Sequence, residues 1–288
     1  MAEHAFVTVD VFTDRRFGGN PLAVFPDARG LTDGEMQALA AEFGYSETTF
    51  VLPPHDPAHT ARVRIFTPQA ELPFAGHPNV GTGFVLAARG RDRDGVMLFE
   101  EPAGLVEIRV ARDAHGEGMR VTIAAPQPLS LGATFAAADI AACAGLAAAD
   151  VVTAAHAPVV ASMGTPFVIA EVAPAALTRA RPDTAGFARH PEVVGLHLYA
   201  RDEDCLRARM FAPLAGIAED PATGSACVAL GGLLLSLSGA AAATYDIVQG
   251  VEMGRPSLLH TAAHVAPDGI RATVGGRCVP VLHGTATL

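Results

Sequence analysis

The chain states one pattern twice. Arg64-Ile65-Phe66-Thr67-Pro68, followed by Glu71-Leu72-Pro73-Phe74-Ala75-Gly76-His77, returns as Arg209-Met210-Phe211-Ala212-Pro213, followed by Glu219-Asp220-Pro221-Ala222-Thr223-Gly224-Ser225. The Arg-x-Phe-x-Pro elements lie 145 residues apart and the Glu-x-Pro-x-x-Gly elements 148 apart, a difference that a three-residue loop insertion explains. The offset is close to half of 288 residues, so two similar halves are expected, each a strand, a Gly turn and an apolar helix. A helix start leaves backbone N–H groups without acceptors and carries the positive end of the helix dipole. Two such starts presented to one cleft would suit an anionic small molecule.

Length and the 50% apolar content supply a core for each half. Against 20 Lys and Arg stand 30 Asp and Glu, a net charge of -10, with no basic run to neutralise a phosphate backbone; nucleic acid and anionic membrane are poor partners. Cys143, Cys205, Cys227 and Cys278 are scattered and form no Cys-x-x-Cys, so neither a disulfide framework nor a zinc site is suggested and a reducing cytoplasm is expected. The first ten residues lack a basic n-region and are broken by Glu3 and Asp10, unlike a signal peptide. Pro221 to Tyr245 carries no charge, but its glycines interrupt it and Gly239 reads as a helix stop. About 15 helical residues at ~1.5 Å each fall short of the ~30 Å of a bilayer core, so this is read as a buried central helix.

Along the first half, Phe6 to Phe12 alternates as a strand, Gly18-Gly19-Asn20-Pro21 turns, and Leu22 to Phe25 is a second strand. Thr32 and Asp33 offer an N-cap to a helix that ends at Gly44. Ser46 to Leu52 and Arg62 to Phe66 are expected strands, with Glu47 at the beginning of the first; Pro78 to Ala88, apolar all round, is the first buried helix. Strands at Val96 to Phe99, Leu105 to Val110 and Met119 to Ile123 complete the half. The predicted lobes are 1–125, with 279–288 as a candidate completing strand, and 126–278. The second half reads as a helix at Phe135 to Leu146 and strands around Phe167, His197, Arg207 to Phe211, Ile247 to Glu252, Ser257 to Val265, Ile270 to Val274 and Val279 to Leu282, an α+β chain.

No dinucleotide, Walker or Gly-x-Ser-x-Gly signature is present. His55 with His59 is split by Pro57, and His260 with His264 falls in a strand-like stretch, so no metal is expected. What remains is Glu47, His77 and Asp220, with Asn20, Gly76, Thr223, Gly224 and Ser225 supplied by turns. Helix starts at His77 and Ser225 would hold a substrate carboxylate and stabilise the charge that develops as a nearby C–H proton leaves. Glu47, desolvated on an apolar strand, would take that proton and return it elsewhere. Taken singly, each has a structural reading too: Glu47 as a solvated strand end, Asp220 as a turn residue, Ser225 as an N-cap, His77 as a buried hydrogen-bonded imidazole, and Asn20 as either a strained turn residue or a cleft residue.

Val9-Asp10-Val11-Phe12-Thr13-Asp14, Gly19-Asn20-Pro21, Ser46-Glu47-Thr48, Phe74-Ala75-Gly76-His77-Pro78, Glu219 to Ala226, Gln249-Gly250 and Gly254-Arg255-Pro256-Ser257 together resemble the phenazine-biosynthesis PhzF-like family, over nearly the whole length. The resemblance implies the diaminopimelate epimerase-like fold, two pseudo-symmetric lobes each with a sheet rolled around a central helix, and commonly a homodimer. It also implies cofactor-independent isomerisation of a small carboxylate, of the 2,3-dihydro-3-hydroxyanthranilate type, with Glu47 moving a proton between ring carbons. His77 and Asp220 match the partner residues, and Gly76, Gly224 and Ser225 match positions that contact the carboxylate. The epimerases of this fold carry two cysteines where this chain has Ala75 and Thr223, so epimerisation by that pair is disfavoured. Racemisation through Glu47 with water or Asp220, and a binding protein on the same scaffold, are the alternatives.

Overall fold

The computed structural model describes residues 2–113 and 118–288. The chain divides into two compact units, Met1–Ala124 with Gly275–Leu288, and Ala125–Val274. Strands and helices mix in both, making the protein α+β.

In the first unit, β1 (Glu3–Val11) and β2 (Asn20–Phe25) are antiparallel, β3 (Thr48–Leu52) lies parallel to β2, and β4 (Ala61–Phe66) antiparallel to β3. The short β5 (Glu71–Leu72) folds back on β4; β6 (Val96–Glu101) runs parallel to β4, and β7 (Gly104–Arg112) and β8 (Met119–Ala124) follow antiparallel. The chain's final strand pairs with both β8 and β1, so the sheet returns on itself and leaves no open edge there. Helix α1 (Asp33–Phe43) covers the outside, packing Met36 and Leu39 on Phe25, Phe50 and Phe66. Its start has a capping box: Glu35 N donates to Thr32 Oγ1 at 3.3 Å and Thr32 N to Glu35 Oε2 at 2.7 Å.

Helix α2 (Gly76–Ala87) fills the inside of this sheet, against β1, β2, β3, β7 and β8. Being enclosed, it has no polar face, which is why its sequence is apolar all round. Its glycines admit the surrounding strands: a Cβ on Gly81 would lie 2.6 Å from Leu22 and 2.8 Å from Val11. Gly81→Ala is therefore expected to destabilise the fold by about 1–3 kcal/mol through overpacking, read as a lower urea midpoint. An unchanged midpoint would mean that the helix has room to shift.

The second unit repeats the plan. Its strands are β9 (Ser130–Thr134), β10 (Val151–Val152), β11 (Val159–Ser162), β12 (Pro166–Val172), β13 (Leu196–Arg201), β14 (Leu206–Ala212), β15 (Ile217–Asp220), β16 (Ala242–Gln249) and β17 (Ser257–Ala266). The short helices α3 (Ala137–Ala144), α4 (Pro174–Arg179) and α5 (Thr184–Arg189) cover one sheet face over Leu196, Leu198 and Phe211. On the other, α6 (Gly224–Ser238) is enclosed by β11, β12, β16 and β17, and stops at Gly239 in the left-handed conformation. Among the described residues no helix is long and apolar enough to cross a membrane.

The sequence repeat is matched by a repeated Arg–Glu fork. Arg64 grips Glu71 through Nε at 2.7 Å and a terminal nitrogen at 2.6 Å, and Arg209 grips Glu219 in the same fork at 2.8 Å and 2.8 Å. Each guanidinium sits 5.0 Å over its own Phe, Phe66 or Phe211. The three extra residues of the second copy accompany the 3₁₀ turn Pro213–Ala215.

Several expectations are corrected. Ile270 to Val274 and Val279 to Leu282 are not two strands but one, β18 (Gly269–Thr287). Between them, a Cβ on Gly275 would lie 2.3 Å from Thr122 Oγ1, so this glycine marks close approach of a neighbouring strand. The strand expected at Ile247 to Glu252 runs from Ala242 to Gln249, and Val251–Met253 is a 3₁₀ turn between two left-handed glycines. The positive φ of the Gly18-Gly19-Asn20 turn belongs to Gly19, at 62°, not to Asn20.

Candidate active site

In the first unit the chain leaves α1 at Gly44 and enters β3 at Thr48, which places Glu47 at the inner end of a wholly buried strand. Its side chain is 14% exposed, and its Oε2 lies 3.5 Å from Nε2 of His77, which is 7% exposed. Burial pushes the Glu47 carboxyl above the usual carboxylate range, partly offset by a hydrogen bond from Ser46. Ser46 Oγ also reaches Asn20 Oδ1 at 3.5 Å, and Asn20 is buried. Glu47, His77 and Asn20 thus gather at one end of α2, and Glu47 is not a solvated strand end.

That end of α2 is unlike α1. Ala75 stands at the cap position in extended conformation and no side chain caps the helix. Gly76 and His77 occupy the first two helical positions, where N–H groups lack intrahelical acceptors, and Pro78 follows where its missing N–H costs nothing. Asn79 Nδ2 donates to Ala75 O at 3.1 Å, turning that carbonyl back along the helix.

The second unit makes the matching turn. Asp220 ends β15, and Thr223 holds the cap position of α6, again without a side-chain cap. The Thr223 hydroxyl donates to Asp220 Oδ2. Gln249, fully buried, ties the turn together: its Nε2 donates to Asp220 O at 2.7 Å and to Thr223 Oγ1 at 3.1 Å, and its Oε1 accepts from Thr223 N at 3.2 Å. Gly224 is the first residue of α6 and the half-buried Ser225 the second. The hydroxyl of Thr223 is therefore engaged in shaping the turn, and Asp220 is fixed through it. Cys227 is buried, and its thiol is pushed up by desolvation, so it lacks the thiolate character of a catalytic cysteine.

Gln249 is a turn-fixing position that residue types alone did not single out; only its place beside Gly250 in a motif hinted at it. The two histidine pairs considered for metal have other partners. His55 Nδ1 and His59 Nδ1 both lie 2.8 Å from Glu100, and His260 Nδ1 lies 2.5 Å from Asp246. Among the described residues no group of three or more His, Cys, Asp or Glu is placed to hold a metal ion.

The profile of the PhzC-PhzF family, described as phenazine biosynthesis-like protein, matches residues 9–284. An uncharacterized isomerase of Mesorhizobium japonicum is 38% identical over 300 residues, covering 99% of each chain. The trans-2,3-dihydro-3-hydroxyanthranilate isomerase of Pseudomonas aeruginosa is 35% identical over 294 residues, covering 99% of this chain and 100% of its own. The crystal structure of a Bacillus anthracis phenazine biosynthesis protein of the PhzF family superposes with a TM-score of 0.90 at 25% identity, covering 100% of both chains. The protein is an isomerase of diaminopimelate epimerase-like fold. It belongs to the PhzF-like family.

Proposed function

We propose that this isomerase moves a proton between two carbons of a small conjugated carboxylate, with trans-2,3-dihydro-3-hydroxyanthranilate, the compound named for its Pseudomonas aeruginosa relative, as the first substrate to test. The observation that carries the reading is the desolvated Glu47 carboxyl beside His77 at the uncapped start of α2. In this reading the N–H groups at the start of α2, at Gly76 and His77, take the substrate's carboxylate. As Glu47 removes a proton, the C–H pair of electrons spreads through the conjugated system toward that carboxylate, where the dipole of α2 favours negative charge. A new C–H bond then forms at another carbon of the same system, the double bonds shift, and Glu47 is regenerated. His77 fixes Glu47, and Asn20 completes the surroundings. No external oxidant or reductant enters the balance.

The test is incubation of the purified protein with trans-2,3-dihydro-3-hydroxyanthranilate in deuterated water, followed by ultraviolet absorbance and proton NMR. A product with relocated double bonds, carrying less than one full deuterium at the new C–H because Glu47 returns part of the original hydrogen, is expected. Deuterium at the original carbon with inversion and no bond shift would instead make the protein an epimerase, and absence of any change would remove this substrate.

A further inference from the structure

Glu101 is a second buried carboxyl group in the first unit, and the reaction proposed above does not use it. It closes β6 where the hairpin turns into β7, opposite Gly104, and is 9% exposed. The internal repeat tells what stands at the equivalent place. Arg64 matches Arg209, so Ala61 and Arg62 match Leu206 and Arg207. The parallel registers pair Ala61 with Phe99 and Arg62 with Glu100, and Leu206 with Ile247 and Arg207 with Val248. Glu101 is therefore the counterpart of Gln249, the amide that fixes the turn into α6.

The neighbourhood agrees. Asn79, three residues after Gly76, corresponds to Cys227, three after Gly224, and Cys227 Sγ lies 3.8 Å from Gln249 Oε1. The Asn79 amide lies beside Glu101 and anchors the Ala75 carbonyl. The same hairpin reaches the other side of the helix start, where Ala103 N donates to Pro73 O at 3.1 Å. Among the described residues, neither carboxyl oxygen of Glu101 nor Asn79 Oδ1 has a well-formed hydrogen bond, and the Asn79 amide is the donor that approaches the carboxyl. Glu101 and Asn79 thus bury more acceptor atoms than well-formed donors, and a proton on Glu101 adds a donor. A protonated Glu has the shape and neutrality of a Gln.

We propose that Glu101 works as a neutral acid, the first half's equivalent of Gln249, and that in this form it positions the start of α2 carrying Gly76 and His77. Burial, set against a smaller opposing hydrogen-bond contribution from the Asn79 amide, pushes its carboxyl up to about 8. Other ionisable groups nearby have their own partners. On β6 Glu100 is taken by His55 and His59, on β4 Arg64 pairs with Glu71 and Arg62 reaches His55, on β7 Glu107 pairs with Arg109, and on α2 His77 faces Glu47. Glu101 is thus a positioning residue for the site proposed above, and the inference rests on that reading only for its effect on turnover.

Three proteins decide it: wild type, Glu101→Gln and Glu101→Ala. Infrared difference spectra titrated from neutral to alkaline pH are expected to show a protonated carboxyl band lost with a midpoint near 8 in the wild type and absent from Glu101→Gln. This readout needs no substrate, so it stands even if the proposed reaction fails. On the isomerisation, wild-type kcat is expected to fall about tenfold per pH unit above that midpoint, Glu101→Ala to lose on the order of tenfold or more at neutral pH, and Glu101→Gln to restore neutral turnover without the alkaline fall. Stability has a definite sign. The folded chain keeps this proton up to about 8 and the unfolded chain loses it at the ordinary 4.5, so the contribution to stability is greatest below 4.5 and is lost as pH rises to 8. Glu101→Gln should flatten that loss. An ionised Glu101 at neutral pH, or an identical alkaline limb in Glu101→Gln, would overturn the proposal.

Discussion

Glu47→Gln is expected to lower kcat for the isomerisation by about 10²–10⁴-fold, the range that a positioned acid/base contributes, with little effect on substrate affinity or on the urea midpoint. The amide keeps the shape of the carboxylate and removes only its ability to take up and release a proton. Because burial holds the carboxyl above the usual range, the ionised base form appears later in a titration than for an exposed Glu. The acid limb of kcat/KM in the wild type should therefore lie alkaline of the ordinary carboxylate pKa, with activity rising as Glu47 ionises, and that limb should vanish in Glu47→Gln. Near-normal turnover in the variant would exclude Glu47 as the shuttle. The same desolvation that raises the proton affinity of Glu47 makes it a stronger base once ionised, and the contact with His77, 3.5 Å away, supplies a polar neighbour at the moment of transfer.

The repeated motif was legible because it encodes something local: a strand, a turn and a helix whose enclosure demands apolar residues on every side. Gly44 and Gly239 ended their helices as expected, each in the left-handed conformation. What could not be read depends on partners distant in sequence. The single strand β18 reads as two in sequence because Gly275, between its halves, stands close to a neighbouring strand, which sequence alone does not show. The Ala-rich α4 and α5, six residues each, carry too short a pattern for period to declare itself. Within the candidate site, Glu47 next to Ser46 and Thr48 was compatible with a solvated strand end, and only its folded environment shows it desolvated. Glu101 and Gln249 went unrecognised for a related reason: their equivalence rests on a parallel strand register that sequence spacing does not contain.

Arg209→Ala is expected to be the most destabilising single change considered, at about 3–5 kcal/mol, because it strands a carboxylate that is only 15% exposed. Arg209 is 2% exposed, forks onto both oxygens of Glu219, and gives its remaining donors to Leu177 O at 3.0 Å and Ala180 O at 2.7 Å. Its removal thus leaves the Glu219 carboxylate without its guanidinium, takes one of two donors from each carbonyl (Leu177 O keeps Ala180 N, and Ala180 O keeps Arg181), and uncovers the face of Phe211. The repeat supplies the control. Arg64 makes the same fork with Glu71, but its side chain is 18% exposed and its third partner, Asp33, lies at the surface at 83%. Water can take over those acceptors, so Arg64→Ala should cost less, about 1–2 kcal/mol. Urea midpoints of the two variants measure the difference, and a larger loss for Arg64→Ala would show that burial is not what sets the strength of the fork. Removing both charges, as in Arg209→Met with Glu219→Leu, should recover much of the loss, since a buried pair adds little over apolar packing when both members go. The double variant also separates stability from chemistry: Glu219 immediately precedes Asp220, so a stable protein with depressed turnover would mean that the fork's further task is to fix the backbone from which Asp220 and the start of α6 are presented.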